Sequence, residues 1–153
     1  MSERKLSEML ALVATIDPDA YDTGSEASDE IDMQMHREVI FILQLGTISV
    51  GSTVDFRIYE APDGGDGTAG GTFKLLKEAT ALADTDDDKQ VIINVRADDL
   101  SSGYRWIKAQ LILGGTADNV DAGVVALADR SRFSDAVTST SFGDLSSVDE
   151  IVA

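Results

Sequence analysis

From Arg37 onward, apolar and polar residues alternate along the chain in several separate segments. A period of two is typical of β-strands that bury one face and expose the other. The segments with the clearest alternation are "EVIFILQL", "STVDFRIYE", "QVIINVR" and "YRWIKAQLIL". Residues 72–80 and 119–129 are predicted as two further strands, the second with weaker alternation. The residues predicted to fill the core are Val39, Phe41, Leu43, Val54, Phe56, Ile58, Val91, Ile93, Val95, Ile107, Leu111 and Leu113.

The segments between the predicted strands are rich in turn-forming residues. "APDGGDGTAGG" and "LGGTADN" contain glycines, which permit the positive φ of tight turns. Several short strands at regular spacing, without helices between them, predict an all-β fold, either an antiparallel sandwich or a barrel. Pro18 and Pro62 are expected outside the strands, because proline cannot donate a hydrogen bond to a sheet.

The two ends of the chain do not follow this pattern. Leu6, Met9, Leu10 and Val13 fit a short amphipathic helix over residues 3–13, and a strand or extended arm over residues 11–16 fits equally well. We therefore divide the chain into an N-terminal arm or short helix (1–22), a β-sandwich domain (23–132) and a C-terminal tail (133–153). The apolar anchors expected in the two ends are Leu6, Met9, Leu10, Phe142, Val148 and Ile151.

Composition narrows the possible partners. The chain has 153 residues, enough for one domain with one core, and a formal net charge of −16. Such a charge argues against binding to nucleic acid or to an anionic membrane surface, since few cations are available to neutralise phosphates. The chain has no cysteine, which excludes disulfides, thiolate nucleophiles and zinc–thiolate sites. The N-terminus has no convincing secretory signal, and no segment approaches the length of a membrane span.

The acidic segment "DTDDDK" raises the question of a metal site. Asp84, Asp86 and Asp88 match the first ligand positions of a calcium-binding loop. Lys89 and Val95 occupy the positions where that loop needs glycine and glutamate. The segment is therefore predicted to be a solvated turn, whose charge also discourages association between sheet edges.

Catalytic patterns are weak throughout the sequence. The single histidine, His36, precedes the first strong strand, and no serine lies in a G-x-S-x-G turn. No glycine–lysine phosphate loop is present, and the adjacent acids Asp98 and Asp99 are unremarkable in so acidic a chain. We therefore predict no enzyme activity, no catalytic residue, no cofactor and no metal.

The outward positions of the predicted strands are more apolar than a solvated face requires. Tryptophan and tyrosine are also the residues most enriched as interface anchors. Two explanations remain open: the face is an interface between copies of this chain, or the N-terminal helix or the tail covers it. The outward residues concerned are Ile40, Ile42, Tyr59, Ile92, Tyr104 and Trp106.

The order of these features resembles the decoration, or cement, proteins of tailed-phage capsids. The resemblance covers roughly residues 10–153 and is carried by an acidic lead-in, two strand-rich blocks, a valine- and alanine-rich last strand and a short tail. The two blocks are "REVIFILQLGTISVGSTVDFRIYEAPDGGDGTAGGTF" and "DTDDDKQVIINVRADDLSSGYRWIKAQLILGGT", and the tail ends in "SSVDEIVA". No single diagnostic motif is involved.

The resemblance implies a jelly-roll-like β-sandwich that forms a homotrimer and binds the major capsid protein on the outer surface of an assembled capsid. It implies a location in the virion, after synthesis in the cytoplasm of a bacterial host. The alternative is a carbohydrate- or receptor-binding β-sandwich, in which Tyr104 and Trp106 with Lys108, Asn94 and Arg96 would form the site. A calcium-dependent binding domain that uses the acidic loops is a third possibility.

Overall fold

The structure is a computed structural model that describes residues 9–116 and 119–129. This part of the chain forms ten β-strands and two short 3-10 turns, Asp84–Asp86 and Ala97–Asp99. The described residues include no helix long and apolar enough to cross a membrane. The strands are β1 (Leu10–Tyr21), β2 (Gly24–Ala27), β3 (Ile31–Asp32), β4 (Glu38–Ile48), β5 (Ser52–Pro62), β6 (Lys74–Glu78), β7 (Leu82–Ala83), β8 (Gln90–Arg96), β9 (Tyr104–Gly115) and β10 (Val120–Asp129).

The strands form two antiparallel sheets. The first sheet has the order β1-β10-β4-β8, and the second has the order β2-β9-β5-β6, with β3 also paired to β9 and β7 to β5. Apart from β5 and β6, successive long strands alternate between the sheets. Without the two-residue strands β3 and β7, the sheet orders become 1-8-3-6 and 2-7-4-5, which is the jelly-roll arrangement. The predicted all-β, jelly-roll-like sandwich is therefore confirmed.

The core lies between the two sheets, where the alternation predicted it. All of the predicted core residues are buried except Val91, and Phe41 and Phe56 are fully enclosed. Val91 is half-buried and packs against the core near the start of β8. Val124 and Ala126 of β10 and Ile16 of β1 also contribute to the core from the first sheet.

The N-terminal segment differs from the predicted arm. Residues Leu10–Tyr21 pair along the whole of β10, from Leu10 opposite Asp129 to Tyr21 opposite Val120. The strand alternative is therefore correct and the helix alternative is wrong from Leu10 onward, so residues 10–21 belong to the sandwich. Two irregularities, between Leu12 and Ala14 and between Ile16 and Asp19, break the alternation of β1. A bulge adds an unpaired residue, so the alternation before it is out of step with the alternation after it.

Two smaller expectations also change. Pro18 lies inside β1, at the second of these bulges, and Pro62 is the last residue of β5. Bulges and strand ends are the positions where a sheet tolerates proline. Leu6, Phe142, Val148, Ile151 and the predicted tail over 133–153 lie outside the described residues.

Candidate assembly surfaces

The six residues predicted to share one outward face lie on two different faces. Ile40 and Ile42 on β4 and Ile92 on β8 belong to the first sheet, whereas Tyr59, Tyr104 and Trp106 belong to the second. The outer faces of the two sheets lie on opposite sides of the sandwich, so the prediction of a single continuous face is wrong. Alternation distinguishes inward from outward positions but does not identify the sheet to which a strand belongs.

The outer face of the first sheet carries a continuous apolar surface. One row of cross-strand neighbours runs Thr15, Val125, Ile42, Ile92, and the next runs Leu12, Leu127, Ile40, Asn94. Directly opposed side chains in such rows are in contact range. Ile92 is 57% exposed and Val125 is 41% exposed. We call Leu12, Ile40, Ile42, Ile92, Val125 and Leu127 the apolar face.

Sequence reasoning identified half of this face. Leu12 was missed because the bulges hide the strand pattern of β1. Val125 and Leu127 were missed because the inward residues of β10 are alanine and valine. The inward side of this strand is therefore little more apolar than its outward side. Cross-strand register, which single-sequence periodicity does not supply, brings these residues beside Ile40 and Ile42.

A groove with a volume of about 980 Å³ adjoins the apolar face, between β1, β10 and β4. The bulge in β1 carries Pro18 across Gly123, where an added Cβ would lie 3.0 Å from the proline Cα. A Cβ on Gly46 would likewise lie 2.9 Å from Cβ of Asp121. Glycine at these two positions permits the close approach of the chain segments that form the groove. Its lining includes four carboxylates, Asp17, Asp19, Asp88 and Asp121, and we call it the acidic groove.

The outer face of the second sheet has a different chemistry. Arg105 donates from Nε and Nη2 to the two carboxylate oxygens of Asp32, at 2.7 and 2.6 Å, and from Nη1 to Asp63 at 2.8 Å. These hydrogen bonds, led by those to Asp32, raise the pKa of Arg105 above its ordinary value. The guanidinium carbon lies 5.3 Å from the centre of the Trp106 ring. Trp106, which is half-buried, therefore lies beside a network containing charges of both signs.

Tyr104 is separated from Trp106 by an irregularity in β9. Trp106 lies opposite Ala61, but Tyr104 lies opposite Pro62, with Arg105 as the extra residue. This shift places Tyr104 on the same side of the sheet as Glu60, and its ring centre lies 4.5 Å from Nζ of Lys74. Tyr104 therefore belongs to a different surface from Trp106.

Glu60 is the centre of a buried polar cluster next to Tyr104. It is 1% exposed and accepts hydrogen bonds from the main-chain nitrogen and Oγ of Ser101, at 2.8 and 2.6 Å. Nζ of Lys74 lies 3.2 Å from Oε1 of Glu60. The cluster satisfies the buried carboxylate and ties β5 to β6 and to the turn before β9, which is a structural role.

This geometry bears on the carbohydrate-binding alternative. That alternative requires Tyr104 and Trp106 to lie together, with Asn94 and Arg96 nearby. The bulge separates the two rings, and Asn94 and Arg96 lie on β8 in the opposite sheet. The predicted residue set is therefore not brought together.

The acidic turn after β7 uses its carboxylates to hold its own backbone. Asp86 accepts hydrogen bonds from Nζ of Lys89 at 2.8 Å and from the main-chain nitrogen of Ala83 at 3.0 Å, which lower its pKa. Asp87 accepts one from the main-chain nitrogen of Ile48 at 2.6 Å. Within residues 9–116 and 119–129, no group of three or more acidic or histidine side chains is arranged to hold a metal ion.

The candidate acid–base residues also have structural contacts. Nδ1 of His36, which is buried, lies 2.8 Å from the main-chain oxygen of Asp129 and so ties the start of β4 to the end of β10. Asp99 accepts hydrogen bonds from the main-chain nitrogen of Arg96 at 2.9 Å and from Nζ of Lys77 at 2.6 Å. These contacts lower the pKa of Asp99, the first more than the second. The absence of enzyme activity stays a prediction.

Comparison with known proteins supports the fold. No protein-family profile matches the sequence. No curated protein sequence matches it either. Among solved structures, this protein is similar to a chain in the structure of the Gx strain of infectious bursal disease virus, with a TM-score of 0.50 and 14% sequence identity. The match covers 78% of this chain and 32% of the viral chain. The VP2 subviral particle of the same virus gives a TM-score of 0.47 and 13% identity, over 78% and 32%.

The chain therefore spans about a third of the length of the viral chains it matches. At this level of identity the similarity shows the fold alone: an antiparallel jelly-roll sandwich like that of a virus particle protein. The strand order described above agrees with it.

Proposed function

We propose that this protein is a structural component of a virion, and that it decorates the outer surface of an assembled capsid and stabilises it by bridging subunits of the major capsid protein. The observation that carries the proposal is the jelly-roll sandwich, whose fold is similar to that of a chain in the structure of a virus. The two outer faces add the surface that a bridging protein needs, because one is apolar and the other presents a tryptophan beside charges of both signs.

Stabilisation by such a protein follows from mass action. A protein that binds the assembled shell and not its dispersed subunits stabilises the shell by roughly 2.7 kcal/mol per site when its free concentration is a hundredfold above Kd. Association into a trimer would multiply weak contacts, because the second and third contacts of one trimer become intramolecular.

The positions of the chain ends support attachment from one side. Leu10 lies opposite Asp129, so the segment before β1 and the segment after β10 leave the sandwich at neighbouring points of the same sheet. Met9, at the start of the described chain, is exposed. The proposed capsid contacts, Leu6, Met9, Leu10, Phe142, Val148 and Ile151, would then approach one partner surface together.

We assign self-association to the outer face of the second sheet. Tyr59 and Trp106 are half-buried there, and Arg57 and Arg105 lie beside acidic partners. Identical chains of charge −16 repel one another, and a face with both signs of charge permits close approach where an acidic face does not. Tyr104 is not part of this contact, because it lies with Glu60 on the other side of the strand.

The experiment uses capsids that lack this protein. Purified chain is added, bound protein is measured by co-sedimentation, and shell stability is measured as the temperature of capsid disruption. We expect saturable binding and a higher disruption temperature. A protein that leaves the disruption temperature unchanged at saturation would contradict the stabilising role, and one that does not bind would contradict decoration.

A paired sedimentation experiment tests the self-association face. Trp106→Ala is expected to shift the protein toward monomer, because truncating a tryptophan at the centre of an interface typically costs about 2 kcal/mol or more. Higher salt should favour the oligomer of the wild type by screening repulsion. Val50→Ala is the control, since Val50 is 84% exposed in the β4–β5 turn. Equal oligomer populations in all three proteins would exclude this face.

A further inference from the structure

The outer face of the first sheet changes its chemistry along the strand direction. Its two apolar rows, through Ile40 and Ile42, occupy one half. The acidic groove lies toward the other end, where β1 ends, β10 begins and β4 passes Gly46. Ile42 and Gly46 are four residues apart on one strand, which corresponds to about 13 Å. The groove and the apolar face share Leu12, Ile42 and Val125, so the two form one continuous surface.

The carboxylates of the groove differ from those acidic residues of the fold that have a cationic partner. Asp32, Asp63, Asp86 and Asp99 are each paired with an arginine or a lysine. Among residues 9–116 and 119–129, none of the four groove carboxylates makes an ion pair, and no lysine or arginine lines the groove. The groove therefore concentrates negative charge beside an apolar surface, with no internal cation to neutralise it.

The protein itself could supply two occupants for this surface, but both carry a net negative charge like that of the groove. A second copy brings a further net charge of −16. The segment after β10, residues 130–153, has two arginines and four acidic residues, for a net charge of −2. Like charges brought together at a contact oppose binding. The favourable occupant is a cationic segment that also carries apolar side chains.

We propose that the apolar face and the acidic groove together bind a segment of a partner protein in which a short apolar run adjoins a cluster of lysine or arginine residues. The apolar run packs on Ile40, Ile42 and Leu127, and the cations reach the carboxylates of Asp19 and Asp121. The separation of about 13 Å between the two regions corresponds to about four residues of extended chain. Because the apolar face and the acidic groove lie at opposite ends of this surface, the bound segment has its apolar run at one end and its cations at the other. This inference goes beyond the proposed function, because it names the chemistry of a partner segment whether or not that partner is a capsid.

The probe is a labelled synthetic peptide with three leucines, one glycine and three arginines in that order. Two matched peptides replace the leucines by serine or the arginines by glutamate. Binding to the full chain is measured by fluorescence anisotropy. We expect the leucine–arginine peptide to bind at least tenfold more tightly than either matched peptide. Equal binding of the serine–arginine peptide would overturn the proposal, because it would reduce the interaction to attraction by net charge.

Matched variants locate the site. Asp19→Asn with Asp121→Asn should weaken binding of the leucine–arginine peptide roughly tenfold, and Val125→Ser should weaken it independently. Asn at position 19 keeps the Oδ1 acceptor for the main-chain nitrogen of Ala20. Asp29→Asn with Glu30→Gln changes net charge equally, at exposed positions between β2 and β3, and should leave binding unchanged. Equal weakening by both double variants would overturn the assignment to the groove.

The same experiment also tests two other possible occupants of this surface, namely the chain's own tail and a second copy of the chain. If the peptide binds only after residues 130–153 are removed, the chain's own tail covers the surface and the proposal is wrong. If the wild type is an oligomer that Val125→Ser dissociates, a second copy covers it and the proposal is again wrong. Melting curves of every variant show that each compared protein is folded. Because no capsid is used, failure here is distinguishable from failure of the proposed function.

Discussion

Replacing Phe56 by alanine removes a phenyl ring from the centre of the core. Phe56 lies on β5, is 0% exposed, and pairs with Leu111 across the second sheet. Returning a fully buried phenylalanine side chain to water costs about 1.5–3 kcal/mol. The cavity left behind adds about 24 cal/mol for each Å³ that does not collapse. The expected loss in the free energy of unfolding is therefore about 3–5 kcal/mol, in the range usual for such substitutions.

Urea unfolding followed by the fluorescence of Trp106, the single tryptophan, measures this loss. The midpoint should fall while the slope against urea stays unchanged. In a thermal experiment the melting temperature should fall by about 6–20 °C, at roughly 2–4 °C per kcal/mol for a chain of this size. Val50→Ala, at an 84% exposed position, should change stability by no more than about 0.5 kcal/mol. Equal, small effects of the two substitutions would refute the placement of the Phe56 side chain between the sheets.

Three further predictions concern metal, pH and the chain ends. A chelator should leave the melting temperature unchanged, because Asp86 and Asp87 already hold the backbone of their turn; a fall that calcium restores would reveal a site. The pKa of Asp99 is lowered, so its contribution to stability is present above the ordinary carboxyl pKa, about 3.9, and is lost as the pH falls through the lowered value. Asp99→Asn should therefore flatten the acid side of a urea-stability profile, and an unchanged profile would contradict this. Removing residues 1–8 or 130–153 should weaken capsid attachment while melting stays cooperative, and full attachment without both segments would contradict the proposed contacts.

The sequence predicted the parts of the fold that depend on side-chain period. In β4, β5 and β9 the alternation is strong, and the predicted inward residues, such as Phe41, Phe56 and Leu111, are buried. Turn composition and the absence of helical segments then sufficed for the fold class. The same reasoning failed for β1, because its two bulges interrupt the period and its acidic second half is exposed although it is paired with β10.

The candidate surfaces depend on how the strands pair, and the spacing of apolar residues along the sequence does not reveal strand pairing. Ile42 and Trp106 are both outward, but they belong to different sheets because successive strands cross between the layers. Tyr104 and Trp106 have the same parity in the sequence, and the extra residue Arg105 places them on different sides. The acidic groove has both Asp19 and Asp121 in its lining, because the pairing of β1 with β10 puts Asp19 opposite Ala122 and Ala20 opposite Asp121.

Electron cryo-microscopy of virions that contain this protein tests the central claim most directly. The account predicts a separate jelly-roll density on the outer surface of the capsid, in contact with at least two neighbouring subunits of the major capsid protein. The first sheet should be recognisable by its four long strands in the order β1-β10-β4-β8. Density for this chain at the tip of a tail or fibre, within the continuous shell, or nowhere in the particle would contradict the account.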